Sequence, residues 1–343
     1  MNTVETQMRR EIDEIASAVQ KLLDNSGPAI GRIASDIRDV DPRFLVTVAR
    51  GSSDHACTFL KYAFELELGL PVASLGPSVA SVYNRSLKLD GGLCLAISQS
   101  GMSPDIVALM RSINTGGSMS IAVTNNPKSP LAEAASETID IWAGPEHSVA
   151  ATKTFVTSVV AGLLLLAEWK QDDALRDALR RLPEKLALAS KLNWESLRQA
   201  IGSRKSLFTL GRGPSWAMSS EAALKFKETC QVHAESYSAA EVLHGPVSIV
   251  EEGFPILCFA SADEAESHLA QVADDLSEKG ASVFLTSNSA SRATSLPHIR
   301  TAHSLTDAVS LIVSFYSMVE RFSADLGKEP DAPRHLRKVT ETV

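Results

Sequence analysis

The sequence repeats itself at a spacing of about half its length. The extended apolar run Phe44-Leu-Val-Thr-Val-Ala-Arg50 leads into Gly51-Ser-Ser-Asp-His-Ala56, and Ser206-Leu-Phe-Thr-Leu210 leads into Gly211-Arg-Gly-Pro-Ser-Trp216, with Gly51 and Gly211 160 positions apart. Later runs keep nearly that offset. Leu93 to Ile97 answers Ile256 to Ala260, Ser120 to Thr124 answers Ser282 to Thr286, and Ile139 to Trp142 answers His298 to Thr301. Between these runs lie helical segments such as Cys57 to Leu68, Asp105 to Ile113, Ala217 to Cys230 and Leu305 to Asp325. Continuous apolar strands separated by helices predict an α/β fold, a mostly parallel sheet flanked by helices on both faces, made twice in tandem. At 343 residues and 44% hydrophobic content the chain can bury two such cores.

The implied organisation is an amphipathic N-terminal helix within residues 1–28, a first α/β domain over 29–169, a charged helical linker over 170–203, a second α/β domain over 204–330 and a tail over 331–343. In the first segment Met8, Ile12, Ile15, Val19 and Leu22 recur at steps of four and three, predicting a helix from about 5 to 24 that Asn25-Ser-Gly-Pro28 ends and whose stripe packs on a partner surface.

A formal charge of -8, with Lys and Arg scattered, argues against nucleic acid as a partner. Cys57, Cys94, Cys230 and Cys258 stand singly, without zinc-ligand spacing, and read as reduced core residues of a cytoplasmic protein. Val156 to Ala167 falls short of the roughly 20 apolar residues that cross a bilayer, so it reads as a buried helix and no membrane partner is expected. The acidic N-terminus lacks the marks of a signal or transit peptide.

Ligands of such sheets bind beyond the carboxyl ends of the strands, which directs attention to the loops there. After Ile97 comes Ser98-Gln-Ser-Gly-Met-Ser-Pro-Asp105, where Ser103 can cap a helix that starts at Pro104. On its own this reads first as an ordinary capped turn. It is also a chemically competent anion site, in which helix-start N–H groups and the hydroxyls of Ser98, Ser100 and Ser103 surround a phosphate without a Lys or Arg. Gly211-Arg-Gly213 continues into Pro214, Ser215 and Trp216, which breaks a dinucleotide fingerprint, and Gly51-Ser-Ser fits it less. No nicotinamide cofactor is expected. Both turns remain either close-approach sites for a smaller ligand or tight turns that need Gly for backbone reasons.

Glu221, Lys225 and Glu228 are spaced four and three apart, so they share a helix face that by spacing alone reads as a solvated ion-pair face. Beyond it, His233 to Pro246 crowds two histidines and two carboxylates into a loop-like segment, a density that points to function.

These segments resemble the sugar isomerase (SIS) domain family, most closely the isomerase half of glucosamine-6-phosphate synthase and the stand-alone glucosamine-6-phosphate deaminases. The resemblance rests on Gly51-Ser-Ser-Asp-His-Ala56, Ser98-Gln-Ser-Gly101, Ala143-Gly-Pro-Glu146, Val149-Ala-Ala-Thr-Lys153, Leu210-Gly-Arg-Gly213, Glu221-Ala-Ala-Leu-Lys-Phe-Lys-Glu228, His233-Ala-Glu235, Glu241-Val-Leu-His-Gly-Pro246 and Pro333-Arg-His-Leu-Arg-Lys338, in family order. It implies two tandem SIS domains, a phosphorylated amino sugar as substrate, and no metal or organic cofactor. It further implies that Ser98, Gln99, Ser100 and Ser103 hold the phosphate, that Ser52, Val149 and Thr152 line the sugar, and that Lys225 lies in the same site. Glu228 would be the proton-transfer base, His244 from a neighbouring subunit of a homodimer would assist ring opening, and Lys338 would lie beside the reactive carbonyl. Met102, Ala151 and Leu243 depart from the synthases' usual Glu, Ser and Lys. Residue 2 is Asn and no glutaminase half is expected, so the implied net reaction is deamination of glucosamine 6-phosphate to fructose 6-phosphate and ammonia. Deglycation of a phosphorylated fructosamine, a phosphosugar aldose–ketose isomerisation that keeps the nitrogen, and non-catalytic sugar-phosphate sensing are the alternatives.

Overall fold

The computed structural model describes residues 5–338. They sort into two compact, interleaved units. One gathers Ser17–Glu146, Lys153–Arg180 and the tail residues Arg337 and Lys338; the other gathers residues 5–16, His147–Thr152 and Arg181–Leu336.

Helix α1 (Gln7–Asp13) leads directly into α2 (Ile15–Val40). The helix expected to stop before Pro28 instead breaks at Glu14 and then runs through Pro28. An internal proline costs about 3 kcal/mol. The apolar stripe continues as Ile30, Ile33 and Ile37, all fully buried, and each buried isoleucine contributes about 1.5–3 kcal/mol, so burial wins. Met8, Ile12, Ile15, Val19 and Leu22 are likewise buried within the chain. The stripe expected to face a partner is therefore already covered.

The first repeat continues as β1 (Phe44–Val48), α3 (Ser52–Leu68), β2 (Val72–Ser74), α4 (Ser78–Ser81), β3 (Gly92–Ile97), α5 (Pro104–Thr115), β4 (Met119–Thr124), α6 (Pro130–Ala134), β5 (Glu137–Asp140) and α7 (Lys153–Lys170). Its sheet has the order β2-β1-β3-β4-β5, every pair parallel. Residues 153–167 of α7 are buried, as the apolar run predicts, and a Cβ on Gly162 would fall 2.3 Å from Leu60 of α3, so a larger residue there would require the Leu60 side chain to move. The chain leaves β1 toward β2 on one side and β3 on the other. Such a reversal is where ligands of open α/β sheets bind, and the loops carrying Ser52 and Ser98–Ser103 emerge there.

The second repeat comprises α8 (Asp173–Ala189), α9 (Glu195–Ile201), β6 (Ser206–Gly211), α10 (Pro214–Lys225) with a π-helical turn (Phe226–Cys230), β7 (His233–Ser238), β8 (Pro255–Phe259), α11 (Glu266–Glu278), β9 (Ser282–Leu285), β10 (Thr294–Ser295) and α12 (Ser304–Asp325). The parallel order β10-β9-β8-β6-β7 reproduces the first topology. The match extends to single dihedrals, since Gly51 (φ 56°, ψ −132°) before α3 and Gly213 (φ 58°, ψ −135°) before α10 adopt the same left-handed conformation. Gly213, rather than Gly211, is thus the counterpart of Gly51. Gly211 serves packing: a Cβ there would lie 2.4 Å from the Ser215 carbonyl.

Two expectations about strands change. His233–Ser238, read as loop, is the edge strand β7. His298 to Thr301, read as strand, lies outside the sheet. Pro297 follows Leu296, whose N–H donates to Leu285 O just past β10, and Arg300 is drawn away to Ala260 O, Asp307 and Glu266.

Candidate active site

The loop after β3 is fixed from below. Gln99 O accepts from Asn125 N at 3.1 Å, Ser98 N donates to Val123 O, and Leu131 N donates to Gly101 O. Gly101 (φ +64°) has no room for a side chain, as a Cβ would stand 2.1 Å from Ser129 Oγ. Ser98 Oγ accepts from Gly101 N and Ser100 Oγ from Met102 N, so two of the hydroxyl oxygens brace the loop while remaining able to donate. Ser103 occupies the N-cap position of α5, but its hydroxyl makes no capping bond. The cap expected there is replaced by Asp105, whose buried carboxylate accepts from Ile106 N. Arg50, from the end of β1, neutralises it at 2.6 Å. A guanidinium therefore pairs with the first turn of α5, next to the loop that sequence alone read as able to hold an anion without Lys or Arg. Ser52, the first residue of α3, follows Gly51 at the neighbouring strand end.

In the second repeat the equivalent loop, after β8, is already occupied by its own chain. Ala262 N donates to Asp307 Oδ2 at 3.0 Å, and Arg300 pairs with the same oxygen at 3.0 Å. Ser215 and Ser261 share a hydrogen bond at 2.8 Å.

Glu221, Lys225 and Glu228 do share a face, but it is not solvated. The side chains of Lys225 and Glu221 are fully buried, with Lys225 Nζ 3.1 Å from Glu221 Oε1 and 2.6 Å from Glu228 Oε2. Tyr316 of α12 donates to Glu221. Burial alone would lower the Lys225 pKa, but the two carboxylates outweigh it and hold the ammonium well above its usual range. The π-helical turn sets Glu228 apart from the rest of α10, and its side chain is 19% exposed. Of the two carboxylates on Lys225, Glu228 alone reaches the surface.

His244 lies exposed just after a 3-10 turn (Glu241–Leu243), and Leu243 and Ile249 beside it expose apolar surface. Val149 and Thr152 belong to a loop held by the N-terminal helix. Glu11 accepts from His147 N and from Ser148 N and Oγ, and Val149 N donates to Asp331 O. Asp331 in turn caps α1 through Gln7 N and Met8 N.

Lys338 is paired with Glu146 at 2.8 Å, and the Glu146 side chain is buried. Thr154 N and Oγ1 also donate to that carboxylate. Burial would raise the Glu146 pKa, but the Lys338 ammonium and Thr154 outweigh it and hold the carboxyl below its usual 4.5. A depressed carboxylate contributes stability above its unfolded value and loses it as pH falls through the folded one. Acidification below about 4.5 is therefore expected to release the tail before global unfolding, read as new protease cleavage around residues 331–338 while far-UV circular dichroism is retained.

A family model for the SIS domain matches residues 40–168 and again 200–324. The chain belongs to the SIS domain family. Its sequence is 31% identical over 352 residues to glutamine–fructose-6-phosphate aminotransferase [isomerizing] of Sulfurisphaera tokodaii, covering 98% of this chain and 56% of that protein. The chain spans about half the length of the curated relatives it matches. A crystal structure of a candidate phosphosugar isomerase from Silicibacter pomeroyi DSS-3 superposes with a TM-score of 0.93 at 64% identity, covering 95% of this chain and 100% of that one. The glucosamine-6-phosphate deaminase of Thermotoga maritima shares the fold, with a TM-score of 0.77 at 19% identity, covering 98% of this chain and 100% of that one.

Within this SIS frame, Ser52, Ser98, Gln99, Ser100, Ser103 and Lys338 fall in the unit of the first repeat, and Val149, Thr152, Lys225, Glu228 and His244 in that of the second. Arg50, Asp105, Glu11 and Asn125 were not singled out from sequence. Arg50 and Asn125 each stand just beyond a strand's carboxyl end, a position that could have flagged them; nothing local marks Glu11 or Asp105. No described helix is long and apolar enough to cross a membrane.

Proposed function

We propose that the chain is a phosphosugar isomerase of the SIS type that deaminates glucosamine 6-phosphate, giving fructose 6-phosphate and ammonia. The observation that carries this reading is Glu228: a carboxylate at the protein surface whose counter-ion, Lys225, is sealed beneath it. Such a group is placed to accept a proton and can reach a ligand.

The serine loop after β3 would hold the phosphate, with Ser52, Val149 and Thr152 along the sugar. Phosphate binding then contributes energy to holding the acyclic sugar in place. Glu228 takes the proton from C2 of the open aldose and returns it to C1, while the C1 oxygen gains a proton and the amine nitrogen gives one up, leaving an imine at C2. Water adds to that carbon and ammonia departs. Lys338, at the end of the tail, would sit beside the carbonyl, and His244 from a second copy would pass the proton that opens the ring; the apolar Leu243 and Ile249 around it favour a homodimer contact there. The sum is proton transfer plus hydrolysis, with no net oxidation, which needs no redox cofactor. A cytoplasmic location fits this chemistry.

The test is to supply the purified chain with glucosamine 6-phosphate and measure ammonia and fructose 6-phosphate in coupled assays. Equimolar release of both is expected. Ketose without ammonia would replace the reading with a nitrogen-retaining isomerase, and neither product would end it.

A further inference from the structure

We propose that Asn125 is a positioning residue that couples the phosphate loop to the turn carrying Glu146 and, through it, Lys338. This rests on the functional reading above and extends it to a residue that touches no substrate.

The turn between β5 and α7 is unusual in its backbone. Trp142 is left-handed at φ 49° and Gly144 at φ 69°, so two residues flanking Ala143 lie in a region that a bulky side chain such as Trp rarely adopts. Such a conformation costs roughly 1–3 kcal/mol and persists only where its surroundings over-determine it. Here they do. Trp142 N donates to Asp140 Oδ1 at 2.9 Å, Ala143 N to Asn125 Oδ1 at 3.0 Å, and Asn125 Nδ2 to Gly144 O at 2.8 Å. Lys153, itself buried, donates to Pro145 O at 2.7 Å. The next residue is Glu146, whose carboxylate holds Lys338.

Asn125 thus uses its side chain on the turn and its backbone on the phosphate loop, since its own N–H donates to Gln99 O. Its amide spans both halves of the Ala143–Gly144 peptide segment, the acceptor taking a donor and the donor an acceptor, which no carboxylate or hydroxyl of similar size reproduces. A shift of Gln99 on phosphate binding is carried by one rigid residue to the turn that sets Glu146. The two ends of the sugar chain's site are then registered to each other by a single amide.

Asn125→Ala deletes the side-chain half and keeps the backbone half. Inhibition by inorganic phosphate is therefore expected to persist at the wild-type Ki, while kcat falls about 10- to 100-fold, the scale of a small misplacement of reacting groups. In hydrogen-exchange measurements, glucosamine 6-phosphate should slow exchange at 98–103 and at 142–146 in the wild type, but only at 98–103 in Asn125→Ala. Asn125→Asp, which keeps the acceptor for the Ala143 amide, should recover part of the lost kcat and protection, and it carries the comparison if the alanine variant does not fold. Wild-type kcat with protection of both segments in Asn125→Ala overturns the proposal, as does a loss confined to phosphate affinity. A wild type that shows neither turnover nor protection at 98–103 sinks the functional reading itself, and the coupling with it.

Discussion

Glu228→Gln is expected to lower turnover of glucosamine 6-phosphate by about 10²–10⁴-fold, the usual contribution of a positioned general base. The substitution is nearly isosteric, and the amide oxygen can still accept from Lys225 Nζ, now 2.6 Å away. Binding measured by inorganic phosphate competition should stay close to wild type, because the serine loop after β3 is assembled from its own backbone bonds to Val123, Asn125 and Leu131. A variant that retains wild-type kcat would remove Glu228 from the chemistry.

The second large effect is on stability. Lys225→Met should destabilise the fold by about 3–5 kcal/mol, the cost of leaving a buried charge without its partner. Glu221 has no exposed side-chain surface and faces Lys225 at 3.1 Å, so it cannot recover its hydration when the ammonium is gone. Denaturant unfolding reads this as a lower midpoint with an unchanged slope. Adding Glu221→Gln should restore part of the loss, since the neutral amide tolerates burial and still accepts from Tyr316. If Lys225→Met alone unfolds at the wild-type midpoint, the triad is not the electrostatic unit described above.

Much of the architecture is legible in the sequence. Apolar runs in the order strand, helix, strand identify a parallel sheet because burial on both faces leaves no alternation, and the repeat fixes that there are two. What failed was local punctuation in conflict with burial. Pro28 signals a stop, yet the isoleucines beyond it are worth more than the hydrogen bond it removes. The Glu221–Lys225–Glu228 face was legible as a face, because helical spacing fixes that geometry. Its solvation was not, because Tyr316, which closes over it, lies 95 positions away. The same holds for Ser103, a good cap by type, displaced by an aspartate whose partner Arg50 is 55 positions distant. Spacing reports what one element can present; long-range partners decide what it presents it to.

The loop after β8 has an aspartate of the same chain where the loop after β3 is read as receiving a phosphate. Duplication, on this view, left one guest chamber and one permanently furnished room. Substitutions in the Ala260–Ala262 stretch should therefore register as lost folding stability, and loss of the Ser100 or Ser103 hydroxyl as lost affinity, although the two stretches occupy equivalent places in twin frames.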